Sequence, residues 1–201
     1  MNLNDVYWVG GSARAGKTTI SNRFENATVY HTDDIFMGAI PASKERQPLL
    51  WRLQNDGPYD ILRMSSDDCL KTWLGIYSET FEVLKNEIIK LETSNTVLVE
   101  GVCLLPELLA ENGISRACFL ISPQAFFEEE LDKLSKFQAD MQAQDNSNLI
   151  HDNINALMKS IRTHIEKQAK KYNFYIIPVD EEHDLDTNAK LASEYFSLSL
   201  S

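Results

Sequence analysis

Basic residues are scarce in this chain. Its 201 residues include 30 aspartates and glutamates against 19 lysines and arginines, a formal net charge of −11. Proteins that grip nucleic acid or lie on an anionic membrane surface normally carry the opposite balance, so neither partner is expected. Any anionic ligand would need a local positive pocket. Long apolar runs are missing too, with none near the ~20 residues of a membrane span. The opening Met1-Asn2-Leu3-Asn4-Asp5 does not have the charged-then-apolar form of a secretion signal. Cysteine is limited to Cys69, Cys103 and Cys118, an odd, scattered set without metal-ligand or redox spacing, which predicts buried thiols in a cytoplasmic protein. No segment repeats. The remainder is ordinary: 43 % hydrophobic and 24 % charged residues suit a globular core, and the length suits one compact domain with a modest insert.

Short apolar runs alternate with longer helical stretches. Val6–Val9, Ala27–His31, Thr96–Val99, Arg116–Ile121 and Phe174–Ile177 read as strands, the third and fourth apolar enough to be covered on both faces. Between Ser66 and about Leu91 the residues Leu70, Trp73, Leu74, Tyr77, Phe81, Leu84 and Ile88 fall at helical spacing. Ser122-Pro123 reads as a helix start, leading to about Met141. Further helices are expected from about Leu149 to Lys171 and from Asp184 to Leu198, with a polar loop over 142–148. Strands separated by helices predict a parallel sheet with helices on both faces. The stretch from about Ile35 to Ser65, with Pro41, Pro48, Gly57 and Pro58, breaks the rhythm and reads as an insert or mobile cap.

The strongest signal is Gly11-Ser12-Ala13-Arg14-Ala15-Gly16-Lys17-Thr18, followed by Thr19. It fits G-x-x-x-x-G-K-[ST], with a strand before it and a helix after it. Glycines let the backbone wrap phosphate oxygens and turn successive N–H groups inward, while the helix adds its positive end. Lys17 would reach the β- and γ-phosphates, and the Thr18 hydroxyl would join the shell of Mg²⁺. This pattern predicts a nucleotide site but not what becomes of the phosphate.

Three acids follow strands where ligands of a parallel sheet bind. Asp33 and Asp34 come directly after the second strand. One could accept or orient the proton of a substrate hydroxyl, and the other could hold water on Mg²⁺; capping of the next short helix is the competing reading. Glu100 ends the third strand in Val99-Glu100-Gly101, where an acid can hold a metal through water and glycine leaves room for phosphate.

Together with Leu104-Leu105-Pro106-Glu107, these segments resemble the small P-loop metabolite kinases. Nicotinamide riboside and uridine kinases have a similar ordering, and bacterial P-loop kinases of unassigned substrate look closer still. The resemblance covers roughly residues 5–125. It implies a P-loop NTPase three-layer α/β sandwich with a five-stranded parallel sheet of order 2-3-1-4-5, capped by the insert at about 35–65. It further implies ATP and Mg²⁺ as cofactors, and transfer of the γ-phosphoryl group to a hydroxyl of a small metabolite, with nucleoside-like compounds one class of acceptor. Asp33 would then act on the substrate hydroxyl, and Tyr59-Asp60 would correspond to a substrate-contacting pair, with Tyr59 as a core or loop aromatic the alternative. The loop Pro178-Val179-Asp180 would contact adenine.

The departure lies in the lid, about residues 123–147. Kinases of this group carry arginines there, whereas this chain has Lys133 and Lys136, three apart and hence on one helical face. Arg14 or Arg162 could supply charge instead. The arginine-poor lid motivates an alternative, an ATP-binding sensor or regulatory protein with little or no transfer activity. A GTPase is disfavoured because no Asn/Thr-Lys-x-Asp signature occurs. His151, His164 and His183 are expected to be surface residues.

Overall fold

Runs of β-forming residues make five strands in the computed structural model, which describes residues 1–124, 127 and 148–200. They are β1 (Tyr7–Gly11), β2 (Ala27–His31), β3 (Thr96–Glu100), β4 (Ala117–Ile121) and β5 (Tyr175–Pro178). Every neighbouring pair is parallel, and the order across the sheet is β2-β3-β1-β4-β5, as expected. Alternate residues serve opposite faces. Trp8, Val97, Val99, Ala117 and Phe119 enter one apolar cluster, and Val9, Leu98, Cys118, Leu120 and Ile177 enter the other. Both faces are therefore buried, which is why β3 and β4 read as continuous apolar runs rather than alternating ones.

The helices are α1 (Lys17–Ser21), α2 (Thr32–Phe36), α3 (Pro48–Asp56), α4 (Tyr59–Leu62), α5 (Ser66–Lys90), α6 (Pro106–Glu111), α7 (Asn148–Lys171) and α8 (Leu185–Phe196). The start of α5 is set by Ser65, whose Oγ accepts from Asp68 N at 3.2 Å. Asp67 and Asp68 in its first turn and Lys90 in its last complement the helix dipole. Asp184 caps α8 by accepting from Thr187 N at 2.8 Å. Helices α3, α5, α6 and α7 contribute to the first cluster, and α1 and α8 to the second.

The segment after Ile35 is more regular than its composition suggests. Pro48 starts α3, where its missing N–H costs nothing, and Gly57 ends it at φ +78°. Helix α4 follows immediately, and both helices pack on α5. At the predicted helix start, Phe127 N donates to Pro123 O at 2.9 Å. The rest of the expected helix to Met141, and residues 142–147 of the expected polar loop, lie outside the described residues; Asn148 opens α7. Among the described residues no helix is long and apolar enough to cross a membrane.

Candidate functional site

The phosphate-loop motif is shaped first by its main chain. Gly11 pairs with Leu120 of β4 and has φ +132°, and a Cβ there would strike the Leu120 carbonyl oxygen. Only glycine fits such a position. Ser12 N donates to Leu120 O at 3.0 Å, and Ala15 N turns back to Ser12 O at 3.3 Å. Arg14 at φ 60° and Gly16 at φ 83° bend the chain through two left-handed residues before α1 begins. The Lys17 side chain is buried, and its Nζ donates to Ser12 O at 2.8 Å. Such a loop between β1 and α1, at the carboxyl end of a parallel sheet of this order, defines the architecture. The fold is that of the P-loop NTPases.

Beside the loop lies a cavity of about 460 Å³, lined by Arg14, Lys17, Thr18, Thr19, Asp33 and Glu100 among others. The sheet brings Glu100 here because β3 lies next to β1, and Gly101 N donates to Val9 O at 3.1 Å directly after it. Gly101 has to be a glycine as well: at φ +156°, a Cβ would collide with the Thr32 hydroxyl. Glu100 is buried, and its Oε1 accepts from Thr18 Oγ1 at 2.9 Å. The same oxygen is 2.7 Å from His31 Nδ1. Asp33 occupies the first turn of α2, and no side-chain cap bond forms at that helix start.

Charge in this cavity is tuned by burial. Lys17 has its pKa lowered by desolvation, with Glu100 and Asp33 pulling the other way. Asp33 opens to solvent along the cleft, yet enough protein surrounds its carboxyl that burial pushes its pKa up, against the opposing pull of Lys17. Cys103 is buried nearby, its pKa pushed up to about 12 by desolvation, which keeps it a thiol. Cys69 and Cys118 are buried too, as expected.

Other predicted site residues fall elsewhere. Asp34 is exposed and is not among the residues lining the cavity. Tyr59 is half-buried and packs on the main core, so the core-aromatic alternative describes its position. Asp60 is exposed, 3.7 Å from Arg52 Nη2 and 3.5 Å from Arg63 Nη1. Lys133 and Lys136 lie outside the described residues. Arg162 is buried, donating from Nε to Ser122 O at 2.8 Å and pairing through Nη1 with Glu166 at 2.8 Å. It thus braces the end of β4, where Ser122 N in turn donates to Ser12 Oγ at 3.4 Å. Val179 and Asp180 border a second cavity of about 470 Å³, which Leu185 and Asn188 also line. Two histidines expected at the surface are half-buried and paired, His164 with Glu107 and His183 with Asp180 at 2.7 Å. His31 escaped the sequence reading as a site residue, because a single histidine at a strand end carries no spacing signal.

The donor chemistry suits a hard cation. The Thr18 hydroxyl and the Glu100 carboxylate lie 2.9 Å apart beside one cavity, and both are oxygen donors of the kind Mg²⁺ prefers. No protein-family model matches the chain, and no curated protein matches it. Among solved structures, TT1252 from Thermus thermophilus is similar at 16 % identity and a TM-score of 0.49, over 94 % of this chain and 96 % of that one. The tunicamycin resistance protein of Deinococcus radiodurans is similar at 11 % identity and a TM-score of 0.39, over 98 % of each chain. Likenesses this distant bear on neither activity nor substrate. The fold assignment rests on the chain's own strand order and loop.

Proposed function

We propose that this protein is an ATP- and Mg²⁺-dependent phosphotransferase that moves the γ-phosphoryl group to a hydroxyl of a small metabolite. The observation that carries this reading is the placement of the Asp33 carboxyl on the same cavity as Lys17, Thr18 and Glu100, with its pKa raised. A plain nucleotide-binding site, with Glu100 for the metal, has no need of a second carboxyl group beside the phosphates. A kinase needs one, to accept the hydroxyl proton.

In this reading the loop amides and Lys17 hold the β- and γ-phosphates, and Thr18 and Glu100 hold the metal. Bound there, Mg²⁺ would offset charge on the phosphates. Asp33 takes the proton from the acceptor hydroxyl as its oxygen bonds to the γ-phosphorus. The bond from that phosphorus to the β–γ bridging oxygen breaks, and ADP leaves. The protein contributes mainly position and electrostatics, since loose phosphoryl transfer asks for little covalent help. We take the acceptor to be a small molecule, with nucleoside-like compounds one class to try. The excess of acids argues against nucleic acid or a membrane surface as partner. The buried thiols suit a cytoplasmic location.

A coupled ADP-release screen over nucleosides, sugars, vitamins and phosphorylated acids tests this, with Mg²⁺ present and then chelated. With the acceptor found, Asp33→Asn should lower kcat by about 10²–10⁴-fold while ATP binding persists. Unchanged turnover in that variant would remove Asp33 from the reaction. Nucleotide binding without turnover on any acceptor would favour the sensor alternative.

A further inference from the structure

Glu100 is held from two elements at one atom. Its Oε1 receives the Thr18 hydroxyl from the start of α1 and lies 2.7 Å from His31 Nδ1 at the end of β2. The β2–β3 register places His31 directly opposite Glu100. A carboxylate can only accept, so the partner nitrogen Nδ1 carries a hydrogen. The terminal torsion of a glutamate is broad and roughly two-fold, so an unrestrained carboxyl interchanges its oxygens with little resistance. Two donors on Oε1 remove that freedom and give the two oxygens different work. With its side chain only 4 % exposed, Glu100 has little room to adopt another arrangement.

We infer that His31 is a positioning residue for the metal: by pinning Oε1 of Glu100, it reserves Oε2 for the water shell of a cation bound with the nucleotide. The inference rests on the nucleotide site proposed above and concerns a residue outside the phosphate-loop motif. It predicts that His31 sets how tightly the metal is held and leaves the loop's own grip on the phosphates alone. A bland role competes with it. β2 is an edge strand, and the histidine could simply brace it against β3.

The test uses the full chain as wild type, His31→Ala, His31→Asn, His31→Phe and Glu100→Ala. Three quantities are measured: melting temperature, binding of a non-hydrolysable ATP analogue in chelator, and the Mn²⁺ concentration giving half-saturation at fixed analogue. His31→Ala should bind the analogue in chelator within about twofold of wild type. Its half-saturating Mn²⁺ should rise by about 10–100-fold, the usual cost of losing an outer-shell partner, towards the value for Glu100→Ala. His31→Asn, whose amide can donate in place of Nδ1, should recover most of the loss, whereas His31→Phe should not. If His31→Ala does not fold, the Asn and Phe variants carry the comparison. Equal Mn²⁺ dependence in wild type and the histidine variants, with Glu100→Ala shifted, overturns the inference and leaves the nucleotide reading standing. A lowered melting temperature with unchanged Mn²⁺ dependence reduces His31 to a strand brace. If the wild type binds no analogue under either condition, the nucleotide reading fails and takes this inference with it.

Discussion

The phosphate loop and the insert are both rich in turn residues, yet they are held in opposite ways. The loop is fixed by its own main chain: Gly11 lies against Leu120, Ser12 N bonds to Leu120 O, and Arg14 and Gly16 sit at positive φ. The insert is fixed by side chains reaching backbone. Gln54 donates to Ile35 O at 2.6 Å and Ile40 O at 3.1 Å, and accepts from Ala42 N at 2.9 Å. Glu79 of α5 accepts from Leu50 N at 2.7 Å near the start of α3. Asn153 of α7 donates to Leu62 O at 2.7 Å and Met64 O at 2.9 Å, and its Oδ1 accepts from Ser66 Oγ at 3.2 Å. A main-chain scaffold tolerates many side chains but not the loss of a glycine. A scaffold of amides tolerates backbone variation but depends on single polar side chains.

Substitutions should separate the two. Gly11→Ala should be the most damaging, because it forces a Cβ onto the Leu120 carbonyl at a left-handed φ. We expect a cost of about 3 kcal/mol or more, a fall in Tm of about 10 °C, and loss of ATP-analogue binding in calorimetry. Asn153→Ala strips partners from two carbonyls and should cost about 2 kcal/mol. Amide hydrogen exchange should speed up around residues 62–66 while analogue binding stays near wild type. Gln54→Ala should cost about 1–2 kcal/mol and open residues 35–42 to limited proteolysis, again without weakening the loop. If either insert variant abolished nucleotide binding, the proposed independence of the two regions would be wrong.

The smallest effect concerns Asp33 and should have the opposite sign. Its folded pKa is raised by burial, so the folded protein holds this proton more tightly than the unfolded chain does. That contribution is complete below the ordinary aspartate range and is lost as pH rises through the raised value. Asp33→Asn removes a charge that is partly desolvated though open to solvent along the cleft, so it should melt only about 2 °C higher than wild type at pH 7. The gain should vanish as pH falls into the acid range. A variant that melts lower at pH 7 would show that the carboxylate is stabilised there by its neighbours.

The contrast also explains what the sequence revealed. The strands and the phosphate loop were legible because main-chain demands leave fixed marks, apolar runs between helical stretches and glycines at set spacing, whereas the order of the sheet came only from the resemblance to P-loop kinases. Asp33 and Glu100 were singled out from their places after β2 and β3, and one cavity is lined by both. The insert's helices were not, since Pro48 and Gly57 read as breakers although they start and finish α3. Nor could Asn153 be paired with Leu62, 91 residues away, by any local pattern. His31 needed the register that sets it opposite Glu100. The dipeptide Tyr59-Asp60 suggested a shared role, and the fold gives its two members different surroundings: Tyr59 packs on the core, and exposed Asp60 pairs with Arg52 and Arg63.

One feature of the sheet reaches beyond these residues. Val97 and Leu98 are chain neighbours, but they belong to different apolar compartments divided by the strands themselves. The compartment holding Leu98 also holds Ala15 of the phosphate loop, Ile20 of α1 and the inner face of α8, while the other takes Leu50 and Leu62 from the insert. The sheet acts as a bulkhead. Drift in the apolar residues beneath the insert can reshape that side over evolutionary time, while the wall shields the packing that steadies the phosphate loop.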